Sequence, residues 1–138
     1  ITFEMRKHLQ YTKTFEDMVA KVRTTDFIAP QYVISAGAKP YEGAVITVAN
    51  WSPAGAREKP HDTRRLSKEE GVLYLVQTND DHWTEPEDER REGIYISMDQ
   101  LGKKDVGMRD RVWKTMRRAP ACHHFTWQTW ISAPAVGY

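Results

Sequence analysis

The positions of glycine and proline constrain the fold of this chain more than any other feature. Ala29-Pro30 ends an amphipathic segment, because the residue before a proline disfavours helical geometry. The next two runs, residues 31–36 and 44–49, are rich in β-branched and aromatic residues, and the glycine- and proline-rich stretch 37–43 separates them. This pattern predicts an antiparallel hairpin with a long loop.

Apolar residues at helical spacing predict helices on both sides of these strands. Thr14 is a suitable N-cap for one helix, and Gly102 is suited to end another. The predicted helices span residues 2–11 (interpreted as the end of a helix that begins upstream), 14–24, 88–101 and 106–117. The further predicted strands span residues 62–66, 72–77 and 125–131.

The order of these elements indicates an α+β fold. Strands cluster between helices without regular βαβ alternation, which favours a mostly antiparallel sheet covered by helices. A chain of 138 residues is long enough for one globular domain. We therefore expect residues 1–138 to form a single domain.

Composition excludes several classes of function. Twenty basic and nineteen acidic residues give a net charge of +1, and the arginine pairs are dispersed, so the sequence predicts no nucleic-acid partner. No apolar run approaches the roughly 20 residues that cross a bilayer. Cys122 is the only cysteine, so no internal disulfide can form and the redox compartment stays open.

Residues 75–92, LVQTNDDHWTEPEDERRE, carry the strongest candidates for function. Asn79 stands at the end of the predicted strand 72–77, where its amide can be aimed at a pocket. Arg90 opens a predicted helix, although helix N-termini prefer anions. An arginine at such a position has often found a carboxylate or an anionic transition state. The remaining charged residues of the stretch, including Arg91, are interpreted as solvated.

Other candidates for chemistry are weaker. Cys122 as a nucleophile beside His123 and His124 is disfavoured, because neighbours on a strand point to opposite faces and no oxyanion loop surrounds it. A small buried residue is the commoner role for such a cysteine. Metal binding by His82, His123 and His124 lacks the ligand spacing of a zinc site. We predict no metal and no cofactor.

The stretch Thr78-Asn79, Asp81, Trp83 and Asp88-Glu89-Arg90-Arg91 resembles a motif of the acid ceramidase and N-acylethanolamine-hydrolysing acid amidase family. These enzymes are choloylglycine-hydrolase-like N-terminal-nucleophile hydrolases. The family pattern is a strand ending in Gln/Glu-Thr-Asn, an acidic turn with tryptophan, and Asp-Asp-Arg-Arg at a helix start. Further similar segments are TFEDMVAKVRTTDFIAPQYVISAG, EGAVIT and PACHHFTWQTWISA, so the resemblance covers nearly the whole chain.

The resemblance implies part of an αββα sandwich and a role in hydrolysing lipid amides, N-acylethanolamines or ceramide, to a fatty acid and an amine. Such enzymes cleave themselves to expose an N-terminal cysteine, whose thiolate attacks the amide carbonyl. Asn79 matches the family asparagine that orients this nucleophile or donates to the oxyanion. Arg90 matches the arginine that favours the thiolate and holds a nearby acid in place.

The resemblance also implies that this chain is the C-terminal portion of the β (catalytic) subunit, with the nucleophile upstream. The expected partners are the upstream segment or separate chain that completes the sandwich, a lipid amide, and a membrane-surface or lipid-presenting partner. A lysosomal or extracellular location is expected, and Asn50-Trp51-Ser52 is a candidate glycosylation site there.

One departure from the family pattern supports an alternative function. Asp80 stands where the family usually has tyrosine, and the nucleophile is not in this chain. The alternative is a noncatalytic subunit in which half of the hydrolase fold serves as an assembly module. Tryptophans such as Trp51, Trp127 and Trp130 would then lie at its contacts.

Overall fold

The computed structural model describes residues 2–48, 62–105, 109–124, 126, 128–129 and 132. These residues form two compact units. The first contains the described residues up to position 75, and the second contains those from position 76 to position 132. The candidate glycosylation site at Asn50 lies outside the described residues.

Two helices open the first unit. Helix α1 is Thr2–Tyr11 and helix α2 is Phe15–Thr24. The hydroxyl of Thr14 accepts a hydrogen bond from the backbone N–H of Asp17 at 3.1 Å, so Thr14 is the predicted N-cap of α2. At the other end, the His8 imidazole lies 2.7 Å from the Thr25 hydroxyl and ties α1 to the end of α2.

Three strands form an antiparallel sheet in the first unit. They are β1 (Gln31–Ala36), β2 (Gly43–Val48) and β3 (Asp62–Arg65), in the spatial order β1-β2-β3. The hairpin predicted from the glycine- and proline-rich stretch is therefore confirmed, with Val33 paired to Ile46. The α+β class with an antiparallel sheet and helices is confirmed as well.

Helix α2 packs on β1 and β2 and buries its apolar face there. The central strand β2 is buried from Ala44 to Val48, and Ile46 has no exposed surface. Arg65 reaches from β3 to α2, where its guanidinium hydrogen-bonds Glu16 at 2.7 Å. The buried core cluster consists of Phe15, Met18, Val19, Val22, Phe27, Val33, Ala44, Ile46 and Val48.

The second unit contains two further helices that pack against each other. Helix α3 is Arg90–Asp105, and Gly102 interrupts it with a φ of 70° and a ψ of 167°. That left-handed φ suits glycine and occurs where the sequence predicted the helix to end. Helix α4 is Arg109–Met116, and residues 106–108 of the predicted helix lie outside the described residues. In the described part of the chain, no helix is long and apolar enough to cross a membrane.

The predicted strand over residues 72–77 is wrong. Val72 forms one isolated bridge with Ser67, and residues 73–77 lie in no strand. The run is nonetheless apolar and sheltered from solvent, with Val76 only 6% exposed. An apolar β-branched pattern reports burial, which an irregular segment can satisfy as well as a strand can.

The strand predicted over residues 125–131 is not observed either. Thr126, Gln128 and Thr129 are described and lie outside any strand, and the other four positions are outside the described residues. A local turn connects His123 and Thr126 at this point of the chain. The backbone N–H of Thr126 donates to the His123 carbonyl at 2.8 Å, and the Thr126 hydroxyl accepts from the His123 N–H at 3.0 Å. Threonine makes such side-chain turns readily.

We expect Ile46→Ala to lower the free energy of unfolding by about 2–5 kcal/mol, because it removes a fully buried side chain from the sheet. The matched control is Ile34→Ala on β1, whose side chain is 70% exposed. It should change stability by less than about 0.5 kcal/mol. Urea unfolding followed by circular dichroism measures both. Equal losses would contradict the assignment of Ile46 to the core.

Candidate active-site cleft

The two predicted site residues line one cleft in the second unit. The cleft has a volume of about 600 Å³. Asn79 is exposed at its wall, and Arg90 is half-buried. Among the residues that the structure describes, the lining is Asn79, Asp88, Glu89, Arg90, Pro120, His123 and His124. Sequence positions 79 and 90 are thus brought together, although Asn79 follows an irregular segment instead of a strand.

Side-chain hydrogen bonds hold the backbone on both sides of Asn79. The amide nitrogen of Gln77 donates to the Thr78 carbonyl at 2.8 Å and to the Asp80 carbonyl at 2.9 Å. The Asp80 carboxylate lies 3.4 Å from the backbone nitrogen of Glu87. These contacts connect the segment that carries Asn79 with the segment that leads into α3.

Arg91 is bound to the acidic turn, so its interpretation as a solvated residue is wrong. Its Nη1 donates to the carbonyl of Thr84 at 3.1 Å and to that of His82 at 3.3 Å. The turn also closes on itself, because the Thr84 hydroxyl donates to the Asp81 carbonyl at 2.8 Å. These carbonyls belong to no strand or helix, and a guanidinium is well suited to bind two of them. Arg91 therefore shapes the turn between the two site residues.

Asp88 and Arg90 form a compact charged pair at the start of α3. One carboxylate oxygen of Asp88 accepts the Arg90 backbone N–H at 2.9 Å, and the other accepts from Arg90 Nε at 2.6 Å. These contacts hold the pKa of Asp88 below its ordinary value. The backbone N–H of Arg90 is the largest cause, slight burial opposes it, and the guanidinium and the charge of His123 add to it. The negative charge of Asp88 also offsets the unfavourable interaction of Arg90 with the positive end of the α3 helix dipole.

Pro120, His123 and His124 supply the other wall of the cleft. A Cβ added at Gly93 of α3 would lie 2.7 Å from two carbons of the Pro120 ring, so the absence of a side chain allows this segment to approach the helix. The rings of His123 and His124 meet edge to face at 5.9 Å between centroids. The sequence around both histidines predicts no role for them in a site, since nothing in their local pattern links them to a segment thirty residues earlier.

Cys122 is half-buried and carries a free thiol. It does not line the cleft. Its backbone N–H donates to the Arg118 carbonyl at 2.8 Å, which places it in the turn after α4. Within the described residues, no group of three or more His, Cys, Asp or Glu side chains is arranged to hold a metal ion.

The cleft can bind and polarise a neutral polar group, because it joins an asparagine amide, a guanidinium and two imidazoles. The Arg90 hydrogen bond to Asp88 uses Nε, and the other donors of a guanidinium are on its two Nη atoms. Asn79 can donate through its amide to an oxygen that gains negative charge. None of the described residues that line the cleft is a cysteine, serine or threonine.

Comparison with known proteins confirms the resemblance seen in the sequence. The chain is 29% identical over 137 residues to the N-acylethanolamine-hydrolyzing acid amidase of Oryctolagus cuniculus, which covers 98% of this chain and 36% of that protein. It is 33% identical over 86 residues to the acid ceramidase of Balaenoptera acutorostrata scammoni, which covers 62% of this chain and 20% of that protein. No protein-family model matches the chain.

A solved structure supports the same relationship. The Caenorhabditis elegans N-acylethanolamine-hydrolyzing acid amidase ortholog superimposes with a TM-score of 0.75 and 26% sequence identity, covering 90% of this chain and 50% of that one. The chain is therefore similar to these amidases in sequence and fold over nearly its whole length. It spans about a third of the length of the amidase relative and half of the solved chain.

We expect Arg90→Ala to raise the pKa of Asp88 only part of the way to its ordinary value. The substitution removes the guanidinium, whereas the backbone N–H, which is the largest cause of the lowered pKa, remains. Because the pKa of Asp88 is lower in the folded than in the unfolded state, its ionised carboxylate stabilises the fold at pH values above the ordinary aspartate pKa. This stabilisation is lost as the pH falls through the lower pKa of the folded state. NMR titration of the Asp88 carboxyl measures the shift.

The matched control is Arg109→Ala, which removes an exposed Arg–Asp contact of 3.2 Å on α4. It should leave the titration of Asp88 unchanged. A complete return of the Asp88 pKa to the ordinary value in Arg90→Ala would show that the backbone hydrogen bond is not the main cause.

Proposed function

We propose that the full protein hydrolyses a lipid amide to a fatty acid and an amine, and that this chain supplies Asn79 and Arg90 to the reaction. The observation that carries the proposal is that both residues line the same cleft. Their match to the family motif gives each of them a chemical role. Because the chain spans only part of its relatives, the activity is proposed for the whole protein.

N-acylethanolamines are the preferred substrate class in this proposal. Relatives named as N-acylethanolamine-hydrolyzing acid amidases align over 98% and 99% of the chain. Relatives named as acid ceramidases align over 62% and 77%. Six of the seven described lining residues, all except Pro120, carry a polar or charged side chain. We assign these polar groups to the amide and the amine-bearing head of the substrate.

The reaction follows the nucleophilic route of N-terminal cysteine hydrolases. A cysteine thiolate from another segment attacks the amide carbonyl, and the C–N bond breaks as the α-amine of that cysteine returns its proton to the leaving amine. Water then cleaves the thioester to give the fatty acid and regenerate the thiol. Cys122 is not this nucleophile in the proposal, since it lies in the turn after α4 and not at the cleft wall.

Asn79 and Arg90 act at different points of this reaction. Asn79 donates from its amide to the oxyanion that forms on the carbonyl, a contact that strengthens in the transition state. Arg90 lowers the pKa of the attacking thiol through its positive charge, while Asp88 fixes the guanidinium through Nε. His123 and His124 line the same cleft. In this proposal they contact the amine side of the substrate.

The expectations on processing and location follow from the same proposal. A lysosomal or secreted enzyme with an acid optimum matures by self-cleavage and carries a glycan at Asn50. Intact-mass measurement of the purified protein should show a segment that begins with cysteine together with the segment described here. A purified, folded protein that has no such segment and no turnover would instead support the noncatalytic assembly module.

We expect Asn79→Ala to lower kcat by about 10²–10³-fold with a long-chain N-acylethanolamine, because it removes one oxyanion donor. The control is Gln100→Ala, which truncates an exposed amide side chain on α3. It should leave kcat unchanged. Steady-state release of ethanolamine measures both variants, and unchanged turnover in Asn79→Ala would remove the proposed role.

We expect Arg90→Lys to lower turnover by about 10–100-fold, the scale of a lost hydrogen bond to a charged group. Lysine keeps the positive charge but cannot bind Asp88 through a planar fork. The matched control is Arg109→Lys, which makes the same change in the exposed pair with Asp110. Equal turnover in both variants would mean that the charge of Arg90 is enough and its geometry is not used.

A further inference from the structure

We propose that Gln77 is a positioning residue that fixes the backbone on both sides of Asn79. This inference rests on the proposed function, because it assigns Asn79 a role in the transition state. The single amide nitrogen of Gln77 donates to the carbonyls of Thr78 and Asp80, the residues immediately before and after Asn79. Gln77 itself does not line the cleft, so it acts through Asn79.

The two hydrogen bonds act where the chain is irregular. Residues 73–78 lie in no strand, and Asn79 and Asp80 form a bend. Side-chain hydrogen bonds to backbone carbonyls restrict the dihedral angles of such a segment. The Gln77 amide nitrogen makes both contacts, at 2.8 and 2.9 Å, which are good hydrogen-bond distances.

The geometry predicts which kinetic constant Gln77 controls. A donor to the oxyanion is useful only if it lies within a few tenths of an ångström of its required position, and a misplacement of about 1 Å can cost roughly 10²-fold. Asn79 acts on the transition state more than on the bound substrate. Loss of its positioning should therefore lower kcat and leave KM nearly unchanged.

The first test is Gln77→Met, which keeps the length of the side chain and removes both donors. In the full protein, kcat with a long-chain N-acylethanolamine should fall by about 10–100-fold, with KM within about twofold of the parent. The matched control is Gln100→Met, the same change at an exposed position of α3, and it should not alter either constant. A parent-like kcat in Gln77→Met overturns the inference.

The second test is a double-mutant cycle with Asn79→Ala. A residue that acts through Asn79 has nothing left to position once that amide is gone. The double variant should therefore show the same kcat as Asn79→Ala alone, so the two effects do not add. A merely structural role of Gln77 would lower kcat by the same factor in both backgrounds, and that result also overturns the inference.

NMR of the Asn79 side-chain amide tests the positioning role of Gln77 without relying on enzyme activity. In the parent, the side-chain amide of Asn79 should give one sharp pair of signals, and in Gln77→Met or Gln77→Glu these should shift and broaden. The methyl signals of Ile94 and Met98, buried in the second unit, should stay unchanged and report that this unit is still folded. Unchanged Asn79 signals refute the positioning role, whatever the turnover.

The activity data then distinguish the two failures. If Asn79→Ala retains full turnover while Gln77→Met disturbs the Asn79 signals, the proposed function of Asn79 fails and the positioning by Gln77 stands as a structural fact without a catalytic effect. If Asn79→Ala loses turnover while Gln77→Met keeps it, the function stands and the inference fails.

Discussion

The second unit depends on backbone carbonyls that neither a strand nor a helix satisfies. Between positions 77 and 89 the chain runs through bends and turns, and about half of these residues are partly shielded from solvent. Side chains provide hydrogen-bond partners for several of its backbone carbonyls. Gln77 binds the carbonyls beside Asn79, and Arg91 binds those of His82 and Thr84. The shape of the cleft follows from these few hydrogen bonds.

The helices and the hairpin of the first unit are predictable from the sequence, because the residues that determine them act on neighbouring positions of the chain. Thr14 caps a helix because its hydroxyl reaches the N–H of Asp17. The 37–43 linker forces the chain back on itself, which leaves β1 and β2 as neighbours. In the second unit, Gly102 likewise interrupts α3, because a φ of 70° suits glycine better than other residues. In each case the decisive contact lies within a few positions along the chain.

Prediction failed where the outcome depended on distant partners. The apolar run at residues 72–77 has the composition of a strand, but a strand requires a second backbone at its side. A run of charged residues predicts a solvated Arg91, whereas its binding to two turn carbonyls depends on how the turn folds. His123 and His124 reach the cleft only because Pro120 can approach Gly93. No pattern within the histidine segment itself encodes that approach.

The Asp88–Arg90 pair shows how one local contact serves both folding and chemistry. An arginine at the first position of a helix opposes the positive end of the helix dipole, and Asp88 removes this conflict by accepting the first backbone N–H. The same carboxylate binds Arg90 Nε, so the guanidinium loses much of its rotamer freedom before any ligand arrives. A group that is already fixed needs little reorganisation when charge develops beside it. Folding alone accounts for the Asp88–Arg90 pair. Because Arg90 lines the same cleft as Asn79, its fixed guanidinium can also interact with a molecule bound there.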